Sequence, residues 1–231
     1  MIDVVFYILV VLVSYVIGSV NNAYIIAYFK GVDLRKQGSG NLGTMNITRT
    51  LGQKWGWLTL ALDVLKSVIP CLLGWWILGG KVGFDINGKN GLLGLDSGDK
   101  LGLFVAGISV VVGHIFPVFF KFKGGKGIAT IIGVMLVANT LATVVAFVVG
   151  LIFIKITNVG SITSFVVIGL PMIVEGYLQR LYYHNTTVSI LIFVLFLIAF
   201  FAHYKNISKL FRYAEQPVVV KMPKAINNQC D

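Results

Sequence analysis

Apolar positions in this chain are gathered into runs near residues 4–28, 56–79, 101–120, 127–139, 140–156, 159–178 and 186–203. A helix needs about 20 mostly apolar residues to cross the hydrocarbon core of a bilayer. The pattern therefore predicts an all-α integral membrane protein. Residues 127–156 admit two readings, one long tilted helix or two helices meeting in a tight turn near Asn139-Thr140. As two helices, each is short for a full crossing and either thins the bilayer locally or is shielded by its neighbours. The first run opens on Met1-Ile2-Asp3, without a basic leader or a small-residue cleavage site. It reads as a first membrane helix and not as a secretory signal.

Charge decides between the two readings. Seven spans with the N-terminus outside put 14 of the 19 Lys and Arg residues in inner segments and 4 in outer ones, with Lys66 inside a span. A single helix over 127–156 gives 9 and 9. Lys and Arg collect in cytoplasmic loops, so the expectation is seven transmembrane helices, N-terminus outside and C-terminus cytoplasmic. Composition agrees, with 57% apolar residues, 12% charged and a mean hydropathy of +0.86; soluble domains carry roughly 25% charged residues. Residues 1–216 are read as a single membrane domain and 217–231 as a polar cytoplasmic tail. The Gly- and Asp-rich stretch 80–100 reads as a solvated outer loop of turns. The net charge of +10 has a topological origin in this setting, and no arginine-rich arm or stacking module points to nucleic acid. Cys71 and Cys230 suggest neither a disulfide framework nor a metal site.

Three inner segments differ in composition from their surroundings. Gly38–Gly52 (GSGNLGTMNITRTLG) combines glycines with Ser39, Asn41, Asn46 and Arg49. It is either an ordinary Gly-rich turn or a concave nest of N–H groups for an anion, with Arg49 able to grip a phosphate bidentately. Gly113–Thr130 (GHIFPVFFKFKGGKGIAT) places Lys123, Gly124, Gly125, Lys126 and Gly127 before a predicted helix N-terminus, where the dipole favours an anion. The bland alternative is a set of juxtamembrane lysines touching anionic lipid. It is not a nucleotide-binding P-loop, because Phe120 and Gly127 stand where Gly and Ser or Thr are needed. In His203–Glu215, His203, Asn206 and Lys209 share a helical face. Asp63 and Lys66, at i and i+3 within a span, read as a structural ion pair. Ser161 and Ser164 either line a cavity or serve close packing.

At these residues the chain resembles the bacterial acyl-phosphate-dependent glycerol-3-phosphate acyltransferases. The family pattern has a GSGN-x-GATN-xx-R stretch, a GH-xx-PVFF-xFKGGKGVAT stretch and an H-xx-NI-xRL-xxG-xE stretch, in that order, and all three match here over about residues 15–215. The chain departs at Leu42, at Thr44-Met45 where Ala-Thr is usual, at Lys209 where Arg is usual, and at Tyr213-Ala214. The resemblance implies transfer of an acyl group from acyl phosphate to the 1-hydroxyl of sn-glycerol 3-phosphate, giving lysophosphatidic acid and phosphate, with no cofactor and no metal. It implies a multi-pass protein of the bacterial cell membrane with its active site facing the cytoplasm. The expected partners are the two substrates, the lipid bilayer and the soluble enzyme that makes acyl phosphate; nucleic acid is not among them.

Carried onto this chain, the catalytic set is Ser39, Arg49, Lys126, His203 and Asn206. The substrate-binding set is Gly38, Gly40, Asn41, Gly43, Asn46, Lys123, Gly124, Gly125, Gly127, Thr130 and Lys209. Arg49 and Lys126 are expected to hold the phosphates, Ser39 and the Gly38–Gly43 backbone to line the site, and His203 and Asn206 to position glycerol 3-phosphate. The base is either a substrate phosphate or His203, and the acyl chain lies in an apolar groove reached sideways from the lipid. No histidine is followed by Asp five positions on, since Phe119, Ser189 and Ser208 stand there. That excludes the His–carboxylate arrangement of another acyltransferase class. A transporter is the competing class; against it, the polar motifs sit at one face and no inverted repeat is evident. A purely structural subunit leaves the three motifs unexplained, and a CDP-alcohol phosphotransferase would need an Asp-rich metal motif.

Overall fold

The structure, a computed structural model, describes residues 2–78, 100–204 and 206. Most of the outer loop, the tail, Lys209 and Cys230 lie outside the described residues. Within them the chain is helical: α1 (Ile2–Ser19), α2 (Asn22–Phe29), α3 (Thr44–Leu51), α4 (Gln53–Ile77), α5 (Leu101–Ile115), α6 (Ile128–Ala138), α7 (Thr140–Thr157), α8 (Gly160–Tyr177) and α9 (Thr186–Ala202). No strand occurs among the described residues. Five stretches are long and apolar enough to cross a membrane: Val4–Phe29, Gln53–Ile77, Leu101–Phe120, Thr140–Thr157 and Gly160–Tyr182. Helices α6 and α9 are apolar but shorter.

Burial is graded across the bundle. Helix α6 is buried at nearly every position, and Trp75, Phe104, Ile131, Met135, Ile168 and Leu195 from five helices pack in one core around it. Its 11 residues span only about 16 Å, against a hydrocarbon core of about 30 Å. A helix that short avoids lipid because α4, α5, α7 and α8 surround it. Helices α1 and α7 instead turn rows of valine, leucine and isoleucine outward, from Val4 to Val16 and from Leu141 to Ile156. An apolar outer surface of this extent suits lipid and not water.

The break at Asn139 separates two helices where the charge argument placed it. It shares its construction with a second break, inside the first apolar run, whose pattern predicts one continuous helix. There α1 ends at Ser19 and α2 begins at Asn22. An interrupted helix leaves carbonyls and N–H groups without helical partners, which is costly in lipid. At each break an asparagine caps the next helix: Asn21 Oδ1 accepts from Tyr24 N at 2.8 Å, and Asn139 Oδ1 from Ala142 N at 3.1 Å. At each, a buried lysine donates to an orphan carbonyl, Lys66 Nζ to Val20 O at 2.7 Å and Lys100 Nζ to Ala138 O at 2.6 Å. Each lysine is paired with a buried carboxylate, Asp63 at 2.9 Å and Glu175 at 2.7 Å. Lys100, read from sequence as part of a solvated loop, is 7% exposed at the start of α5. The Glu175 partner that draws it inward lies 75 positions away and has no local signature.

Candidate active site

Helices α6 and α8 begin, and α5, α7 and α9 end, at one end of the bundle. A cavity of 550 Å³ opens there. Its lining draws on all three polar segments: Ser39, Asn41, Gly43, Asn46 and Arg49 from the first, Lys126 and Gly127 from the second, His203 and Asn206 from the third. The far end of the bundle holds the Lys100–Glu175 cluster instead.

The first segment is half loop and half helix. Its composition predicts a turn or nest, yet α3 starts at Thr44, directly after Gly43. Apolar residues at Ile47 and Leu51, one turn apart, are the local signal for that helix, and both pack against the core beneath it. Asn46, buried on α3, holds the preceding loop with three hydrogen bonds. Its Nδ2 donates to Leu34 O at 3.1 Å and Gln37 O at 3.0 Å, and its Oδ1 accepts from Ser39 N at 2.9 Å. Ser39 is thereby fixed at the cavity mouth, while Gly38 and Gly40 adopt positive φ behind it and do not line the cavity. Asn46→Asp is expected to lower stability by about 1–3 kcal/mol, because a carboxylate would face two carbonyls that need donors. Thermal unfolding in micelles measures it. Asn46→Ala should fall by a similar amount, and an unchanged midpoint in both would remove the bracing role.

The second segment folds back onto α5. Gly125 N donates to His114 O at 3.1 Å, and Gly124 N to Ile115 O at 3.1 Å. These amides are engaged by carbonyls, so the two glycines serve close packing: a Cβ on Gly125 would strike the His114 ring, and one on Gly124 would strike the α5 backbone. Thr130 is buried and donates to Gly127 O at 2.7 Å, closing the first turn of α6 behind the cavity wall. Lys123 is exposed and away from the cavity. Lys126, between Gly125 and Gly127, is the lysine of this segment that reaches the lining.

At the end of α9, His203 is 2% exposed, with its ring against Phe165 and its Nδ1 at 3.0 Å from Ala199 O. A carbonyl only accepts, so in the neutral ring Nδ1 carries the proton and Nε2 keeps a lone pair. Asn206 Nδ2 donates to Ser161 Oγ at 3.0 Å, which joins the third segment to the start of α8. Ser164 also lines the cavity, although its hydroxyl donates to Gly160 O within α8.

Several further residues line the cavity. Lys155, counted in the sequence only as an inner cation, ends α7 beside Ile154 and brings a third basic side chain to the rim, with Arg49 and Lys126. Asp63 is the lining carboxylate among the described residues, and it is already bound to Lys66. Thr44 lines the wall with a buried Oγ1 that has no hydrogen-bond partner among the described residues. His114 also reaches the lining. Trp57, Leu60, Ile132, Phe147, Leu151 and Val167 form an apolar stretch of the wall. Trp57 and Phe147 touch edge to face at 6.4 Å between ring centroids, bridging α4 and α7. No group of three metal-ligating side chains occurs among the described residues. The cavity is thus a basic polar pocket continuous with an apolar slot, suited to an anionic head on a hydrocarbon chain.

Comparison with known proteins agrees with this chemistry. The family model described as glycerol-3-phosphate acyltransferase matches residues 8–213. The chain is 37% identical over 207 residues to the glycerol-3-phosphate acyltransferase of Thermoanaerobacter sp. (strain X514), covering 88% of this chain and 91% of that protein. It is 32% identical over 211 residues to that of Bacillus subtilis (strain 168), covering 91% and 96%. Its fold is similar to a crystal structure of PlsY (YgiH), an integral membrane glycerol 3-phosphate acyltransferase, in the glycerol 3-phosphate form, with a TM-score of 0.75, 31% identity and coverage of 91% and 94%. The lysophosphatidic acid form of that protein matches with a TM-score of 0.73 at 30% identity.

Proposed function

The chain belongs to the glycerol-3-phosphate acyltransferase family, and from that premise we propose that it moves a fatty acyl group from acyl phosphate to the 1-hydroxyl of sn-glycerol 3-phosphate. The products are lysophosphatidic acid, a precursor in phospholipid synthesis, and inorganic phosphate. The observation that carries this reading is a cavity in which basic groups from two of the motifs adjoin an apolar slot. Both substrates are anions that repel one another, and the donor already bears a good leaving group. The protein's task is to hold the two together and to orient the hydroxyl, which fixed cations and donors accomplish without a metal.

In this reading Arg49 and Lys126 hold the phosphates, Ser39 and Asn41 line the mouth, and Asn206 and His203 orient glycerol 3-phosphate. The hydroxyl oxygen attacks the acyl carbonyl carbon, the bond from that carbon to the phosphate oxygen breaks, and phosphate leaves. The hydroxyl proton passes to a substrate phosphate or to the Nε2 lone pair of His203. The acyl chain occupies the slot between Trp57, Phe147 and Val167, entering from the bilayer side. Seven crossings, with the N-terminus outside and the cavity facing the cytoplasm, are supported by the alternating helix directions and by the basic residues around the cavity. Residues 217–231 are a cytoplasmic tail, Lys209 serves the same site, and the soluble enzyme that makes acyl phosphate supplies the donor.

The experiment is phosphate release by the purified protein in lipid. Palmitoyl phosphate with glycerol 3-phosphate is expected to release phosphate, and either substrate alone to release none. Turnover with acyl-CoA in place of acyl phosphate would overturn the donor assignment and keep the acceptor.

A further inference from the structure

The apolar slot is closed on its inner sides and crossed on its outer one. Helix α6 backs it through Ile132, which is buried. Glycines close the seams on either side. Gly133 lets α6 lie against α4, where an added Cβ would strike Val64 O, and Gly150 lets α7 lie against α8, where one would strike Val167. Close packing thus joins α4 to α6 and α7 to α8, and not α4 to α7. The side left open lies between α4 and α7. Both helices carry exposed apolar residues there, Leu58 and Leu65 on one and Val144 and Val148 on the other.

Across this opening the rings of Trp57 and Phe147 meet edge to face, and both belong to the lining. Trp57 is 51% exposed and stands two turns from Leu65 on the same face of α4. The pair therefore borders both the slot and the lipid-facing surface. Its depth follows from the helix. Phe147 is the lining residue of α7 farthest from the rim, as Val167 is of α8. From Lys155 at the rim to Phe147 is eight residues of α7, about 12 Å. An extended carbon chain, like an extended backbone, covers that distance in roughly ten bonds. The chains of membrane lipids fill half of a hydrocarbon core about 30 Å thick, so they outrun the slot. At that depth Val167 and Ile132, both buried, bar the interior, and a longer chain continues outward past the two rings.

We propose that Trp57 and Phe147 are specificity-determining residues for the acyl donor: they clasp the chain where it passes from the slot into the bilayer, and so favour chains long enough to reach them. The inference rests on the reading that an acyl phosphate occupies the cavity. A chain arriving from lipid gains little by leaving water, so the advantage lies in packing against two rigid rings and in the alignment this gives the head.

The test is the ratio of kcat/KM for palmitoyl phosphate to that for octanoyl phosphate, measured by phosphate release at fixed glycerol 3-phosphate in micelles. The parent protein should prefer the longer donor. Trp57→Leu and Phe147→Leu keep apolar bulk in the wall and remove the ring contact. In each the ratio should fall about 10-fold. A loss of packing unrelated to the chain would lower both rates together and leave the ratio unchanged, which would overturn the proposal. So would a parent protein indifferent to chain length. Thermal midpoints with octyl phosphonate and hexadecyl phosphonate give a second readout that needs no turnover. If the parent uses neither donor, the acyltransferase reading fails first and the midpoints decide on the pair. A larger rise with hexadecyl phosphonate in the parent, lost in both variants, keeps the clasp. Equal rises in the parent, or a difference that survives both substitutions, remove it.

Discussion

Lys126→Ala is expected to lower phosphate release on the order of 10²- to 10³-fold at saturating substrates, the loss found when one fixed electrostatic stabiliser is removed from a reaction centre. The reason is positional. Gly125, packed on the His114 ring and bonded to its carbonyl, and Gly127, at the start of α6, hold the Lys126 backbone on both sides. In the proposed reaction the side chain would therefore meet the leaving phosphate from a fixed base. Lys126→Arg should recover only part of the rate, since a planar fork does not replace a compact point charge. Lys123→Ala is the control, because Lys123 is exposed outside the lining, and it should keep near-parental turnover. Parental turnover in Lys126→Ala would take the ammonium out of the reaction centre altogether.

Glu175→Gln is expected to give the largest loss of stability, about 3–5 kcal/mol, the usual cost of removing one partner of a buried ion pair. Glu175 is 1% exposed and meets Lys100 Nζ at 2.7 Å, Asn139 Nδ2 at 3.0 Å and Gln179 Nε2 at 2.9 Å. Its removal leaves Lys100 buried without a counter-charge and loosens the cap at the break between α6 and α7. The cluster lies at the end of the bundle away from the cavity, so kcat and KM at a permissive temperature should hold while the thermal midpoint falls. Lys100→Met combined with Glu175→Leu should recover much of the loss, because no lone charge then remains in the interior. A midpoint unmoved by Glu175→Gln would show that the cluster does not bear on the break.

Much of the cavity lining was legible in the sequence because the motifs are local. The residues from Gly38 to Arg49 and from Lys123 to Gly127 sit close together in the chain, and their composition stands out against apolar surroundings. What composition could not say is which members face the ligand. Gly124 and Gly125 lie in the most anion-like stretch, yet their amides are bonded to α5 carbonyls. Asn46 reads as a phosphate donor and is used in full by its own loop. Lys155 carries no motif and reaches the rim because α7 runs back to the cavity.

By itself the sequence determined the helical class, the split of residues 127–156 at Asn139, and the gathering of three polar segments at one end. Hydrophobic run length, charge asymmetry and composition are properties of neighbouring residues, and a bilayer enforces them strongly. Only the tertiary structure decided the rest: the break between α1 and α2, the burial of Lys100 on Glu175, and the contact of Lys66 with His114 across 48 positions. Each is a pairing of buried polar groups from helices distant in sequence. In an apolar interior such groups must find one another, and which ones do so depends on how the helices pack.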